Sequence, residues 1–374
     1  MVSAGHDEWG DDHERTMTSL RAALLSLWRL GANAVVGWRP SRIGIEVITV
    51  PTVRLFGLGD RHHRVLEGDR LMGPATFAEV AAALDVQPIE FRLPVFLGDG
   101  ARRLPLDVVD AVVTPFSIMK TKQRAAFLVD IVGFSLAAPE QQASRLATLE
   151  FALNLASELV RRRVGALEML RSTTGDGFYV WNRVKGIDAD IALFAGFIAF
   201  LTLLSFLQRS VATRDTVPPV RTCIGIGSHY TYYQIDGAGR VTNEFIVGEV
   251  TIALARLMAV TRPRQILIRD FLRSTAADKQ PIQVGEFLKI VGERLAWMSE
   301  LNLDNTSVER IALYLTGALD ADQAHEGELL HFTDKHGVEH KCYNMKLNVF
   351  PLDGEPFYCG LRHAELRTGK GYPW

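Results

Sequence analysis

Apolar residues recur at three- and four-residue spacings through Gln141–Leu170, at Leu146, Leu149, Leu153, Ala156 and Leu159, the period of a helix with one buried face. On either side the period shortens. Ala125–Val132 is an apolar run broken only by Asp130, and Phe178–Trp181 follows Thr-Gly-Asp-Gly, so both read as strands, the second leaving a glycine turn. Ile187–Leu207 reads as an apolar helix, Val220–Gly227 and Tyr230–Gln234 as strands with a turn at Asp236–Gly239, and Gly248–Val260 as a helix. The rest mixes a helix in FLKIVGERLAWMSELN with strands in KCYNMKLNVF and PFYCGLRH. Before this strand–helix alternation lies a front section, residues 1–120. It holds a predicted helix near Ser19–Trp38, a β-branched strand region in IGIEVITVPTVRLFGLG and a helix from Pro74 to Val86 that starts at a proline. The pattern divides the chain into an extension, 1–120, and a mixed α+β section, 121–374.

One predicted helix needs a membrane test. Ile191–Leu207 has no charged residue, a length at the lower edge of the roughly 17–25 residues of a spanning helix. A crossing there would part strands that the pattern assigns to one domain, so a core or subunit-interface helix without stable membrane insertion is expected. Composition agrees with a globular chain: 374 residues, 48% hydrophobic and 22% charged. The net charge of −2 and the brevity of the runs Arg102-Arg103 and Arg161-Arg162-Arg163 argue against direct nucleic-acid binding. Cys223, Cys342 and Cys359 are too scattered for a disulfide framework or a structural zinc site, which fits a reducing, cytoplasmic setting. The acidic N-terminus has no adjacent apolar core of a secretory signal.

A carboxylate beside a core is costly unless it is paired or holds a metal. Asp130 and Asp176 each adjoin a predicted strand, and neighbouring strands would aim both at one spot. Like charges that close repel unless a cation lies between them, and magnesium or manganese suits such hard oxygens. Gly133, Gly175 and Gly177 would let backbone approach a phosphate, and the helix start at Phe134 and Ser135 would offer N–H groups to an anion. Taken singly, either acid is also what a cap or hairpin turn uses.

FLVDIVGFS followed by TTGDGF resembles the metal-binding core of the class III nucleotidyl cyclases, the adenylate and guanylate cyclases. CIGIGSHY and GEVTIALARL extend the resemblance over about Gln123 to Leu257. It implies a ferredoxin-type sheet with helices packed on it, behind the N-terminal extension. It also implies a homodimer with composite sites at the interface and a nucleoside triphosphate substrate. Two Mn2+ or Mg2+ ions per site would be held by Asp130, the carbonyl of Ile131 and Asp176, and Arg256 would steady charge on the α-phosphoryl group.

The chain departs from that family where the base and ribose are read. The family asparagine falls on Ile252, the base-reading lysine on Ser172 beside Arg171, and its partner aspartate on Phe245. Adenine loses both polar contacts there, whereas a pyrimidine leaves room for Phe245 to stack and for Ser172 or Arg171 to face O2 or O4. In this the chain resembles bacterial antiphage pyrimidine cyclases, whose cyclic product activates a separate effector. The expected reaction is UTP to 3′,5′-cyclic UMP plus diphosphate. Alternatives are a cytidylate cyclase, an adenylate or guanylate cyclase, and a non-catalytic nucleotide-binding or dimer module. His62, His63, His229, His331, His336 and His340 form no metal-binding spacing, and Lys341, Lys346 and Lys370 match no clear triphosphate motif.

Overall fold

The computed structural model describes residues 5–57, 65–94, 97, 103–209, 216–275, 280–300, 302–303, 306–317 and 327–367. His62, His63 and Lys370 lie outside them. The chain divides into two compact units, Met1–Lys122 with Tyr230–Val247, and Gln123–His229 with Gly248–Trp374. The first unit thus takes in a hairpin that the sequence pattern places in the later section.

In the first unit, helix α1 (Gly5–Trp28) precedes strands β1 (Asn33–Pro40) and β2 (Gly44–Pro51), which pair antiparallel, with β3 (Ile89–Arg92) beside β2. The helix expected near Ser19–Trp38 therefore stops ten residues early: Leu30 turns left-handed at φ 57°, and the apolar run Ala34–Val36 continues as strand. Side chains alternate across this sheet. Ile45, Val47 and Trp38 join Leu20 and Leu24 of α1 and Val109 of α3 (Leu106–Val113, following α2, Pro74–Leu84) on one face. Ala34, Val36, Ile48 and Val50 pack on the other face with Phe77 of α2. The remaining piece of this unit is the hairpin of β7 residues Tyr230–Ile235 with β8 (Val241–Val247).

The second unit opens with β4 (Met119–Ile131) from Gln123 onward, followed by α4 (Pro139–Arg163), β5 (Met169–Thr173), β6 (Gly177–Asn182), α5 (Ile187–Arg209) and β7 (Val220–Ile235) as far as His229. The four strands stand in the order β7-β4-β6-β5, the split βαββαβ arrangement of a ferredoxin-type sheet. The fold is α+β, as expected. Helix α4 ends at Arg163, short of the predicted Leu170, because Gly165 and Ala166 turn left-handed at φ 74° and 47°. After β7 the chain forms α6 (Glu249–Val260) and β9 (Ile266–Arg269), the latter parallel to β7. Short strands β10 (Leu272–Arg273) and β11 (Ile282–Gln283) then lead into α7 (Val284–Arg294) and β12 (Asn302–Leu303). Strands β13 (Thr306–Leu315), β14 (Leu329–Thr333), β15 (Glu339–Pro351) and β16 (Phe357–Cys359) widen the sheet, with β15 between β13 and β9.

Helix α5 is the centre of this unit. Ala189 through Leu204 are all buried. Phe197 and Phe200 lie 5.0 and 6.1 Å, centroid to centroid, from Phe127 of β4, and Phe194 lies 5.0 Å from Phe287 of α7. Along β4, Ala125, Phe127, Val129 and Ile131 face this core. Strand alternation puts Asp130 on the opposite face, which is why an acid can interrupt the apolar run.

At the start of α5, Asp190 is 1% exposed; it accepts from the Ala125 backbone N–H at 2.6 Å and pairs with Arg273 at 2.7 Å. Burial pushes its carboxyl up to about 6, against the pull of Arg273. Arg273→Met is expected to cost about 3–5 kcal/mol at pH 8 by leaving that charge buried and unpaired. A carboxyl raised in the folded state favours folding most when protonated, and this contribution is lost as pH rises through about 6. The cost of Arg273→Met therefore shrinks toward pH 4, where Asp190 is neutral. Urea midpoints at the two pH values measure this; an equal loss at both would refute the assignment.

Candidate active site

The β5–β6 hairpin brings the two acids together. Gly177, just after Asp176, stands opposite Asp130 in the antiparallel register of β4 and β6, and the Ile131 N–H donates to the Asp176 carbonyl at 2.9 Å. The turn is fixed locally. Gly175 takes φ 99°, its N–H donates to Thr173 Oγ1 at 3.0 Å, and the Thr174 N–H donates to the Gly177 carbonyl at 3.0 Å. Gly177 is required by packing, since a Cβ there would lie 1.9 Å from the Val129 carbonyl oxygen.

Asp130 is 8% exposed. Burial raises its carboxyl above the usual range, and Asp176 adds to the rise through charge and hydrogen bonding. Arg221 opposes both by donating from Nε to Asp130 Oδ2 at 2.6 Å. The same guanidinium reaches the carbonyls of Met258 and Thr261 at 3.3 and 3.4 Å, so it is held at the end of α6 as well as at the acid. Sequence reasoning missed Arg221. Its signal is a charged residue at the head of the otherwise apolar run of β7.

Beyond the acid, Gly133 takes φ 66° and starts the short turn Phe134–Leu136. Phe134 is half-buried against the core and Ser135 is exposed; the Gln142 side chain ties the turn to α4 by donating to the Phe134 and Ala137 carbonyls. On β5, Ser172 is half-buried opposite Tyr179. Neighbouring Arg171 donates to Asn154 Oδ1 at 2.9 Å and to Glu150 Oε1 at 2.6 Å, both on α4. Arg256 of α6 has Nε 3.3 Å from Asp334 Oδ2, in the turn between β14 and β15. The hydrogen bond from His340, 3.0 Å away, is the chief cause that holds the Asp334 carboxyl well below its ordinary range. Asp334 and His340 are a second pairing that the sequence did not reveal. Ile252 is 56% exposed. Phe245 belongs to the first unit, where it stacks on Tyr232 with centroids 5.8 Å apart.

Two carboxylates and the Ile131 carbonyl are hard oxygen donors, and a carboxyl raised by burial and by a like neighbour is one that a divalent cation would relieve. Among the described residues no group of three or more His, Cys, Asp or Glu side chains converges, so further ligands would come from substrate or water. The donor set fits magnesium or manganese, with one Asp130 oxygen shared with Arg221.

No protein-family model and no curated protein matches the chain. Among solved structures, it is similar to the guanylate cyclase domain of RhGC from Catenaria anguillulae in complex with GTP. The two are 11% identical over 60% of this chain and 97% of that one, with a TM-score of 0.36. The adenylyl cyclase CyaB from P. aeruginosa is 16% identical over 64% of this chain and 97% of that one, at 0.35. Adenylate cyclases from Trypanosoma brucei in their monomeric state are 12% identical over 60% and 88%, at 0.32. Likenesses this distant assign neither a reaction nor a residue.

Proposed function

We propose that the chain is a metal-dependent nucleotidyl cyclase acting on a pyrimidine nucleoside triphosphate, with UTP converted to 3′,5′-cyclic UMP and diphosphate. The observation that carries this reading is the meeting of Asp130 and Asp176 where the β5–β6 hairpin pairs with the end of β4. Asp130, Asp176 and the Ile131 carbonyl would hold two Mg2+ or Mn2+ ions, which when bound supply charge neutralisation and a more acidic 3′-hydroxyl. The chain's own part is to place those oxygens on rigid backbone. Gly177 lets the hairpin lie against β4, and the Ile131 N–H locks the Asp176 carbonyl.

In this reading the working unit is a homodimer, and Arg256 serves a nucleotide whose acids belong to the other copy. Its guanidinium would leave Asp334 to stabilise charge on the α-phosphoryl oxygens. The base is read by Ser172, with Arg171 engaged by Glu150 and Asn154 and therefore a brace for β5 as it stands. A hydroxyl donor suits uracil O4. The product would be a second messenger in bacterial antiviral defence, sensed by a separate effector, as the altered base-reading positions imply. A second reading is favoured by one observation: Arg221 on Asp130 and Asp334 on Arg256 neutralise two of the catalytic charges within one chain. That reading is a nucleotide-binding module without turnover.

Incubation with each nucleoside triphosphate and manganese, with products resolved by mass spectrometry, separates the two. UTP is expected to give the highest initial rate, CTP less, and ATP and GTP at least about tenfold less. A purine nucleotide in first place would overturn the base assignment. No cyclic product from any of the four would favour the module.

A further inference from the structure

Arg209 at the end of α5, Arg264 in the turn before β9, Lys346 on β15 and Arg362 after β16 line one cavity of ≈ 720 Å³. All four belong to the second unit. A single carboxylate, Glu365, shares the lining; it pairs with Arg362 at 3.5 Å and accepts from the Arg362 backbone N–H. Glu365 also attracts Lys346, so the lining holds four cations against one carboxylate.

The hollow therefore carries a net positive charge. Arg264 stands at φ 65°, in the left-handed region that favours glycine. The turn that imposes it is held by half-buried and buried bonds: the Arg262 N–H donates to Gln265 Oε1 at 2.8 Å, and Gln265 Nε2 donates to Asn344 Oδ1 at 3.1 Å. Lys346 lies with Nζ 4.6 Å above the Tyr358 ring, and Tyr358 is 51% exposed. Burial and the neighbouring Arg362 both weaken the hold of Lys346 on its proton, as expected of a cation crowded by like charge. Half-buried Asn348, two residues after Lys346 on β15, also lines the cavity.

We infer that this cavity binds a nucleoside di- or triphosphate, at a site separate from the two acids. Adjacent phosphates match several cations set around one hollow. The Asn348 side-chain amide gives the lining a neutral polar group suited to a base or sugar rather than to a phosphate. Once Lys346 turns from the half-exposed Tyr358 ring to a phosphate, that ring gives a base a surface, and the volume suits a ligand of that size. None of this depends on the cyclase reading, since neither acid lines the cavity.

Calorimetric titration of the full chain in EDTA tests it, because metal-dependent binding at Asp130 and Asp176 is then silent. UDP, UTP and inorganic diphosphate are the probes. Both nucleotides should bind, and more tightly than diphosphate. Arg264→Gly combined with Lys346→Met should weaken nucleotide binding at least about tenfold, by removing two charge-assisted contacts. The first change suits the left-handed backbone and the second keeps the stem of the side chain, so the variant should retain its circular dichroism and melting midpoint. Asp130→Asn should leave binding in EDTA unchanged. Diphosphate binding as tightly as the nucleotides would overturn the nucleoside part. No binding, or binding lost in Asp130→Asn and kept in Arg264→Gly/Lys346→Met, would overturn the site.

Discussion

Replacing Asp130 with asparagine is expected to lower the rate of cyclic-product formation on the order of a thousandfold, the usual scale for losing a group that stabilises transition-state charge. The fold should survive. Burial already favours a neutral group at this position, and Arg221 keeps the Met258 and Thr261 carbonyls and partial access to water when its carboxylate partner goes. Asp176→Asn should behave alike. Mixing Asp130→Asn chains with Arg256→Ala chains should then recover up to about a quarter of the wild-type rate. Random pairing makes half the dimers mixed, and each mixed dimer has one complete site. Full turnover by either asparagine variant at saturating manganese would remove that acid from the chemistry. Absence of recovery, with subunit exchange verified by mass, would place Arg256 and the acids in one chain's site.

The parts of this site visible in the sequence are those built by local pattern. The period-two run in FLVDIVGFS shows a strand with one face for the core, and Thr-Gly-Asp-Gly shows a tight turn ahead of another strand. Pairings across long stretches of chain left no such mark. Arg221 meets Asp130 across 91 positions, and Asp334 meets Arg256 from the tip of a later hairpin. The predicted helix Gln141–Leu170 runs over the first two residues of β5, Met169 and Leu170; the left-handed turn at Gly165 and Ala166 ends the helix first. Ser228 and His229 interrupt the apolar run and part the predicted strands Val220–Gly227 and Tyr230–Gln234, yet β7 is continuous through both. Hydrogen bonding to neighbouring strands overrides a polar interruption of two residues.

Gly177→Val is expected to be the most damaging single change for stability, at more than about 4 kcal/mol, because backbone meets the new Cβ. The clashing atom is the Val129 carbonyl oxygen at 1.9 Å, which is itself tied into the β4–β6 ladder and cannot rotate away as a side chain would. The strands must separate, carrying Asp176 off Asp130. Gly175→Ala is the matched control. Nothing lies within 4 Å of its Cβ, so only the φ of 99° is penalised, at about 1–3 kcal/mol. Urea unfolding compares the two. A Gly177→Val protein that melts with the wild type would mean that the hairpin does not lie against β4 as described.

The burial of α5 has a consequence for how the chain must be made. Its cover comes from both directions along the chain: Phe127 and Leu153 precede it, while Ile224, Phe287 and Met345 follow it. A growing chain that has just completed α5 therefore carries an apolar cylinder, without a charge from Ile191 to Leu207, while many of its partners are still unsynthesised. Until β15 arrives, more than a hundred residues later, that surface can be satisfied only by another molecule, whether a chaperone, a bilayer or a second unfinished chain. Refolding yield from denaturant should accordingly fall steeply with protein concentration, while the finished protein, having closed over the helix, shows no such dependence.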